Sequence, residues 1–94
     1  MKSILQTEKE CWFCKSTYNL HLHHICYGTA NRKISDKNGF VVYLCQFHHT
    51  GDYGVHGKYG KKKDTLLKQC CQLKYEQLGH TRASFIKLIG KSYL

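Results

Sequence analysis

The chain has 94 residues, too few for several separately folded domains or a large unaided core. It carries 15 Lys and Arg against 6 Asp and Glu, a net charge of +9. No apolar run approaches the roughly 18 residues of a membrane span. These features fit one small domain without a membrane-spanning helix. They make a polyanion the natural partner, with nucleic acid the commonest; an anionic membrane surface or a merely soluble basic face are the alternatives.

Residues 1–10, MKSILQTEKE, suit a short helical lead-in and lack the apolar stretch and cleavage site of a signal peptide. The six cysteines, at 11, 14, 26, 45, 70 and 71, are therefore expected in a reducing compartment, as metal ligands where closely spaced. CWFCKSTYN reads as a knuckle. From Tyr18 to Ile25, Leu20 and Leu22 alternate with Asn19, His21 and His23, the period of a half-buried strand. YGTANRKISDKNG, residues 27–39, is rich in turn formers and reads as a loop. FVVYLC, residues 40–45, is the strongest strand, expected to pair with the first as an antiparallel hairpin.

In QFHHTGDYGVHGKYG, glycines at 51, 54, 57 and 60 shorten or interrupt any helix. From Asp64 as N-cap, Leu67, Cys70, Cys71, Tyr75 and Leu78 share one helical face, and Gly79 suits the C-terminal cap. A second helix starts at Thr81, buries Phe85, Leu88 and Ile89, and stops at Gly90. Cys70 and Cys71 read as core or helix-flank residues, Cys26 as an unused thiol, and His80 as a residue suited to a helix C-terminus. The expectation is one α+β domain over 1–94: a metal-stabilised hairpin core over 11–56 and a helical extension over 64–90.

Cys11-x-x-Cys14 and Cys45-x-x-His48 repeat one spacing, which lets each pair present two side chains to a single tetrahedral zinc ion. Such an ion would clamp the base of the hairpin and substitute for missing core. His49 is the alternative fourth ligand. In NLHLHHICYG, alternation puts His21 and His23 on one strand face and His24 on the other. His21 reads as a solvent-facing residue or phosphate contact. Tyr53 and Tyr59, with Lys58 and Lys61 to Lys63, suit base stacking and phosphate neutralisation, or equally a solvated loop.

The order C-x-x-C, a strand ending in HHI, a strand ending in LC, then x-x-H-H resembles the HNH endonucleases, whose fold is a ββα-metal, treble-clef-like finger. The resemblance covers residues 11 to about 56 and is clearest in LHLHHI and YLCQFHH. Small stand-alone members are frequent in phage genomes. The resemblance implies a DNA endonuclease with His24 as the general base that deprotonates water. It implies a catalytic divalent ion held by His23 and His49. His56, which has no fixed counterpart in the family's shortest motif, is a candidate third ligand, on the face of His49 if the helix continues for two turns and on a loop if Gly51 and Gly54 break it. His23 stands where the family usually has Asp, which favours Mn²⁺, Ni²⁺ or Zn²⁺ over Mg²⁺. The Asn that the family places before the second knuckle is replaced by Phe40, leaving Asn38 or Asn31 to brace the base.

A neutral imidazole base implies activity that falls below about pH 6.5. The setting implied is the cytoplasm of a bacterial host, and double-strand cutting would imply a homodimer. Two alternatives stand beside the enzyme. One is a catalytically inactive zinc-binding module that binds nucleic acid or inhibits a host protein; the other is a structural zinc protein acting through protein contacts.

Overall fold

The computed structural model describes residues 2–94. Two short strands, β1 (Leu20–His24) and β2 (Val41–Cys45), form an antiparallel hairpin, with Leu20 opposite Cys45 and His24 opposite Val41. Between them lies helix α1 (Thr29–Asn38); after β2 come α2 (Gln46–His49), α3 (Lys61–Gln77) and α4 (Arg82–Ile89). The chain is thus an α+β domain, its hairpin and C-terminal helices in the expected order.

Residues 27–39 are not the expected loop, because Gly28 and Gly39 act as helix ends rather than turn centres. Gly39 adopts a left-handed φ of 74° and its N–H bonds the Ser35 carbonyl, the usual C-terminal closure. The ten residues between them are polar, and their helix is held by its neighbours. Buried Ser35 donates to the Cys26 carbonyl at 2.6 Å and accepts from the Cys26 N–H at 3.2 Å, while Asn31 donates to the Ile89 carbonyl at 3.3 Å. A helix with so little apolar face depends on such tertiary contacts.

The expected lead-in over 1–10 includes Met1, which lies outside the described residues; residues 2–10 form bends instead of a helix. Their hydrogen bonds go to the rest of the fold. Ile4 N–H donates to Gly39 O at 3.0 Å, and Gln6 Oε1 accepts from Tyr43 N–H of β2 at 2.8 Å. The open edge of a two-stranded sheet competes for the groups that a helix would use internally.

The core joins Ile25, Phe40, Val42 and Leu44 of the hairpin region to Leu67, Cys71 and Tyr75 of α3 and Phe85 and Ile89 of α4. Phe40 packs edge-on against Tyr75 at 5.6 Å and beside Phe85 at 5.9 Å. The four-residue α2 agrees with an interrupted helix. Helix α3 starts after Gly60, one turn earlier than the expected Asp64 cap, because Gly60 O already accepts from Asp64 N–H at 3.0 Å. Leu78, expected on the buried face, is exposed. Helix α4 follows its expected caps: Thr81 Oγ1 accepts from Ser84 N–H at 3.0 Å, and Gly90 closes it at φ 106°.

Residues 51–60, GDYGVHGKYG, fold as successive turns that each begin at a glycine. Gly54 N–H bonds Gly51 O at 2.9 Å, Gly57 N–H bonds Gly54 O at 2.8 Å, and Gly60 N–H bonds Gly57 O at 3.2 Å. The steps pack so closely that a Cβ on Gly57 would meet the Gly51 carbonyl oxygen, and one on Gly60 that of Gly54. The staircase also bonds back onto α2, with Val55 N–H to His48 O and His56 N–H to His49 O, both 2.9 Å. It therefore carries His56 to the side of His49 without a continuous helix.

Candidate functional site

The first centre is built by two tight turns. In the knuckle, Lys15 N–H donates to Cys11 O at 2.9 Å and Lys15 takes a left-handed φ of 65°, which turns Cys14 back toward Cys11. The second half-site joins Cys45 at the end of β2 to His48 within α2. Sγ of Cys14 lies 3.7 Å from Sγ of Cys45, and Nδ1 of His48 lies 3.3 Å from Cys45 Sγ and 3.7 Å from Cys11 Sγ. A zinc tetrahedron, with bonds of about 2.3 Å to sulfur and about 2.0 Å to nitrogen, has S–S edges near ~3.8 Å and S–N edges near ~3.5 Å. The four residues expected from spacing thus meet at distances that suit a metal ion such as zinc, and His48 rather than His49 is the fourth.

The electrostatics agree with a resident cation. Burial and the Lys63 charge lower His48, keeping its imidazole neutral as a ligand must be. Burial raises Cys11, but hydrogen bonds from the backbones of Cys45, Cys14 and Phe13 outweigh it and leave the thiol below its ordinary value. At Cys14 a backbone hydrogen bond at Ser16 lowers the thiol, while burial and the neighbouring Cys11 and Cys45 sulfurs raise it further. Sulfurs that oppose one another's ionisation are reconciled by a shared positive ion.

The second centre gathers His23 from β1, His49 from α2 and His56 from the glycine staircase. Their ligating atoms lie within 4.8 Å of one another. His23 is 2% exposed, and its Nε2 has no hydrogen-bond partner. A buried, unpartnered imidazole nitrogen beside two further imidazoles fits a borderline divalent ion, since burying such an atom unsatisfied is costly. His21 belongs here as well: its Nδ1 lies 2.9 Å from Nδ1 of His49. It is therefore not the solvent-facing residue expected, because α2 covers the strand face that His21 shares with His23.

Burial, then the charges of His56, His49, His24 and Lys68, lower His23 from 6.5 to about 3. Burial, His56 and His21 lower His49 to about 4. Both rings are neutral at pH 7. Between pH 6.5 and 3 the unfolded chain binds a proton at His23 that the folded chain refuses, so stability is full above pH 6.5 and falls as pH drops. The limiting slope is about 1.4 kcal/mol per pH unit for one such group. Urea midpoints should fall between pH 7 and 5.5 for the wild type, and less steeply for His23→Phe.

His24 sits at the end of β1, on the opposite face from His23, and meets α1: its Nε2 lies 3.0 Å from Asp36 Oδ1. A carboxylate only accepts, so the bond places a proton on Nε2, and in the neutral form of the ring the lone pair falls on Nδ1. Neither Asn expected to brace this histidine reaches it in the hydrogen-bond network. Asn31 bonds Ile89 O, Asn38 bonds Ile34 O, and Phe40 is core. Asp36 takes the bracing position.

A cleft of about 230 Å³ is lined by His23, His24, His49 and His56, together with Leu22, Tyr27 and Arg32. Arg32, also from α1, supplies a cation at its wall. The larger grooves, about 570 Å³ beside the N-terminal segment and about 650 Å³ beside Lys61 and Leu66, bring no comparable set of ligating side chains together. Of the remaining candidates, Cys26 is buried, with burial pushing its thiol up to about 11, and His80 stacks on Tyr75 at 4.2 Å. No family model matches the chain, and neither a curated protein nor a solved structure does so significantly.

Proposed function

We propose that the protein is a metal-dependent endonuclease of the HNH type, a zinc-stabilised ββα-metal finger that hydrolyses DNA phosphodiester bonds. The observation that carries this reading is the shared cleft, where a three-histidine cluster with an unpartnered Nε2 adjoins a histidine held by a carboxylate. His23, His49 and His56 would hold the divalent ion. When bound, such an ion neutralises a scissile phosphate and stabilises the leaving oxygen.

The chain's own groups supply the rest. His24 Nδ1 takes a proton from the attacking water, and Asp36 on Nε2 orients the ring and offsets the charge it acquires. Arg32 draws the phosphate to the cleft wall, and the +9 charge of the chain draws the polyanion to the protein. An all-imidazole ligand set favours Mn²⁺, Ni²⁺ or Zn²⁺ over Mg²⁺.

The test is cleavage of supercoiled plasmid by the zinc-loaded protein with each of these ions. Cleavage is expected with the transition metals, weakly with Mg²⁺, and to be lost in His56→Ala while zinc remains at the cysteine site. Wild-type protein that binds the plasmid and leaves it intact with every ion would overturn the enzyme reading in favour of a silent nucleic-acid-binding module. Linear product ahead of nicked circles would indicate that two copies act together, one per strand.

A further inference from the structure

Away from the histidine cleft, the segment between α2 and α3 carries three aromatic rings on the surface. Phe47, Tyr53 and Tyr59 are 57%, 52% and 57% exposed. They form a row: Phe47 and Tyr53 lie 6.2 Å apart at 23° between planes, and Tyr53 and Tyr59 lie 5.2 Å apart at 29°. The glycine staircase builds this row. Tyr53, His56 and Tyr59 each hold the residue before the next glycine; the outer two stack on each other while the middle one joins the metal cluster.

Clustered aromatic surface left in water is unfavourable and marks a place where something docks. Its surroundings say what. Lys58 Nζ lies 5.4 Å from the Tyr59 ring centre, and Lys61 and Lys62 are exposed with Lys63 beside them. Asp52 is the exposed acid of this segment, whereas Asp64 is tied to Lys68 at 2.9 Å. Nearly parallel rings rimmed by cations match a ligand that carries flat faces and negative charges in alternation. A double helix stacks its base faces against one another and would engage only the lysines. An acidic protein would satisfy the lysines and leave the rings without planar partners.

We infer that the Phe47, Tyr53 and Tyr59 row, with Lys58 and Lys61 to Lys63, is a stacking platform for the unpaired bases of single-stranded DNA. Because every base has a π-face, the platform is tolerant of sequence. As the substrate class of a nuclease this rests on the reading above; as a binding site it does not. The same loop carries His56, so a strand held on the rings lies on the element that completes the metal cluster.

The test is fluorescence anisotropy with a labelled oligodeoxythymidylate and a blunt duplex of equal length, using zinc-loaded His24→Ala protein so that nothing is cut. The single strand should bind more tightly than the duplex. Tyr53→Ala, Tyr59→Ala and the bulk-retaining Phe47→Leu should each weaken single-strand binding by about fivefold to a hundredfold, leaving duplex binding unchanged. Tyr53→Phe should retain it, and Lys61→Gln should weaken both ligands alike. Equal affinity for both ligands, or ring-deleted variants with unchanged melting and unchanged single-strand affinity, would overturn the inference. Either result leaves plasmid cleavage by the wild type untouched, and failed cleavage leaves the binding result untouched.

Discussion

Stripping the metal from Cys11, Cys14, Cys45 and His48 is expected to unfold the protein at room temperature. A structural zinc of this kind contributes on the order of 10–16 kcal/mol. The net stability of a domain is only about 5–15 kcal/mol. The four ligands tie the N-terminal knuckle to the end of β2 and to α2, so their release frees the base of the hairpin and removes the support of His49. Circular dichroism with and without a strong chelator should show loss of the cooperative melt, and Cys45→Ser should reproduce it with one metal fewer by elemental analysis. An unchanged melting temperature after verified zinc removal would refute the structural role.

His24→Ala is expected to lower plasmid cleavage by about a hundredfold to ten-thousandfold, the usual contribution of a positioned proton acceptor. Melting and zinc content should stay at wild-type levels, because His24 bonds a half-exposed Asp36 at the surface rather than the core. Asp36→Asn should cost less, on the order of tenfold, since an amide still orients the ring but no longer offsets its positive charge. Full activity in His24→Ala would remove this residue from the mechanism. Full activity in Asp36→Asn alone would confine the carboxylate to a structural role.

The Cys/His cluster was legible because one spacing occurs twice, at Cys11 and Cys14 and again at Cys45 and His48, and close pairs of ligand-type residues have few other physical uses. The hairpin was legible from Val41 to Cys45, and α4 from Thr81 and Gly90, since these residues act on their own backbone neighbourhood. Helix α1 was not, because its polar composition matches a loop and what stabilises it lies elsewhere in the fold, at Cys26 and Ile89. Missing that helix concealed Asp36 and Arg32, both of which it carries to the cleft. His21 was misjudged for the same kind of reason: alternation placed it with His23, but the period of a strand does not reveal what covers the face. His56 was within reach only as one alternative, since a glycine-broken segment specifies no direction until its turns are seen to stack.

The glycine staircase makes the distance between His49 and His56 a count rather than a length. Each step is three residues, and each glycine both closes one turn and opens the next. Inserting or deleting one residue would rotate every later side chain to a different position in its step, exchanging the places of Val55, His56 and Gly57. An insertion before Val55 would bring this core residue to the place of His56 beside the histidine cluster, and a deletion would bring His56 to the buried place of Val55. Successive steps also face opposite ways, since Val55 is buried where Asp52 and Lys58 are exposed, and His56 joins His23 and His49 where Tyr53 and Tyr59 stack. Between Gly51 and Gly60 this chain therefore has a reading frame of its own, in which only the gain or loss of two whole steps keeps each later side chain on its own side.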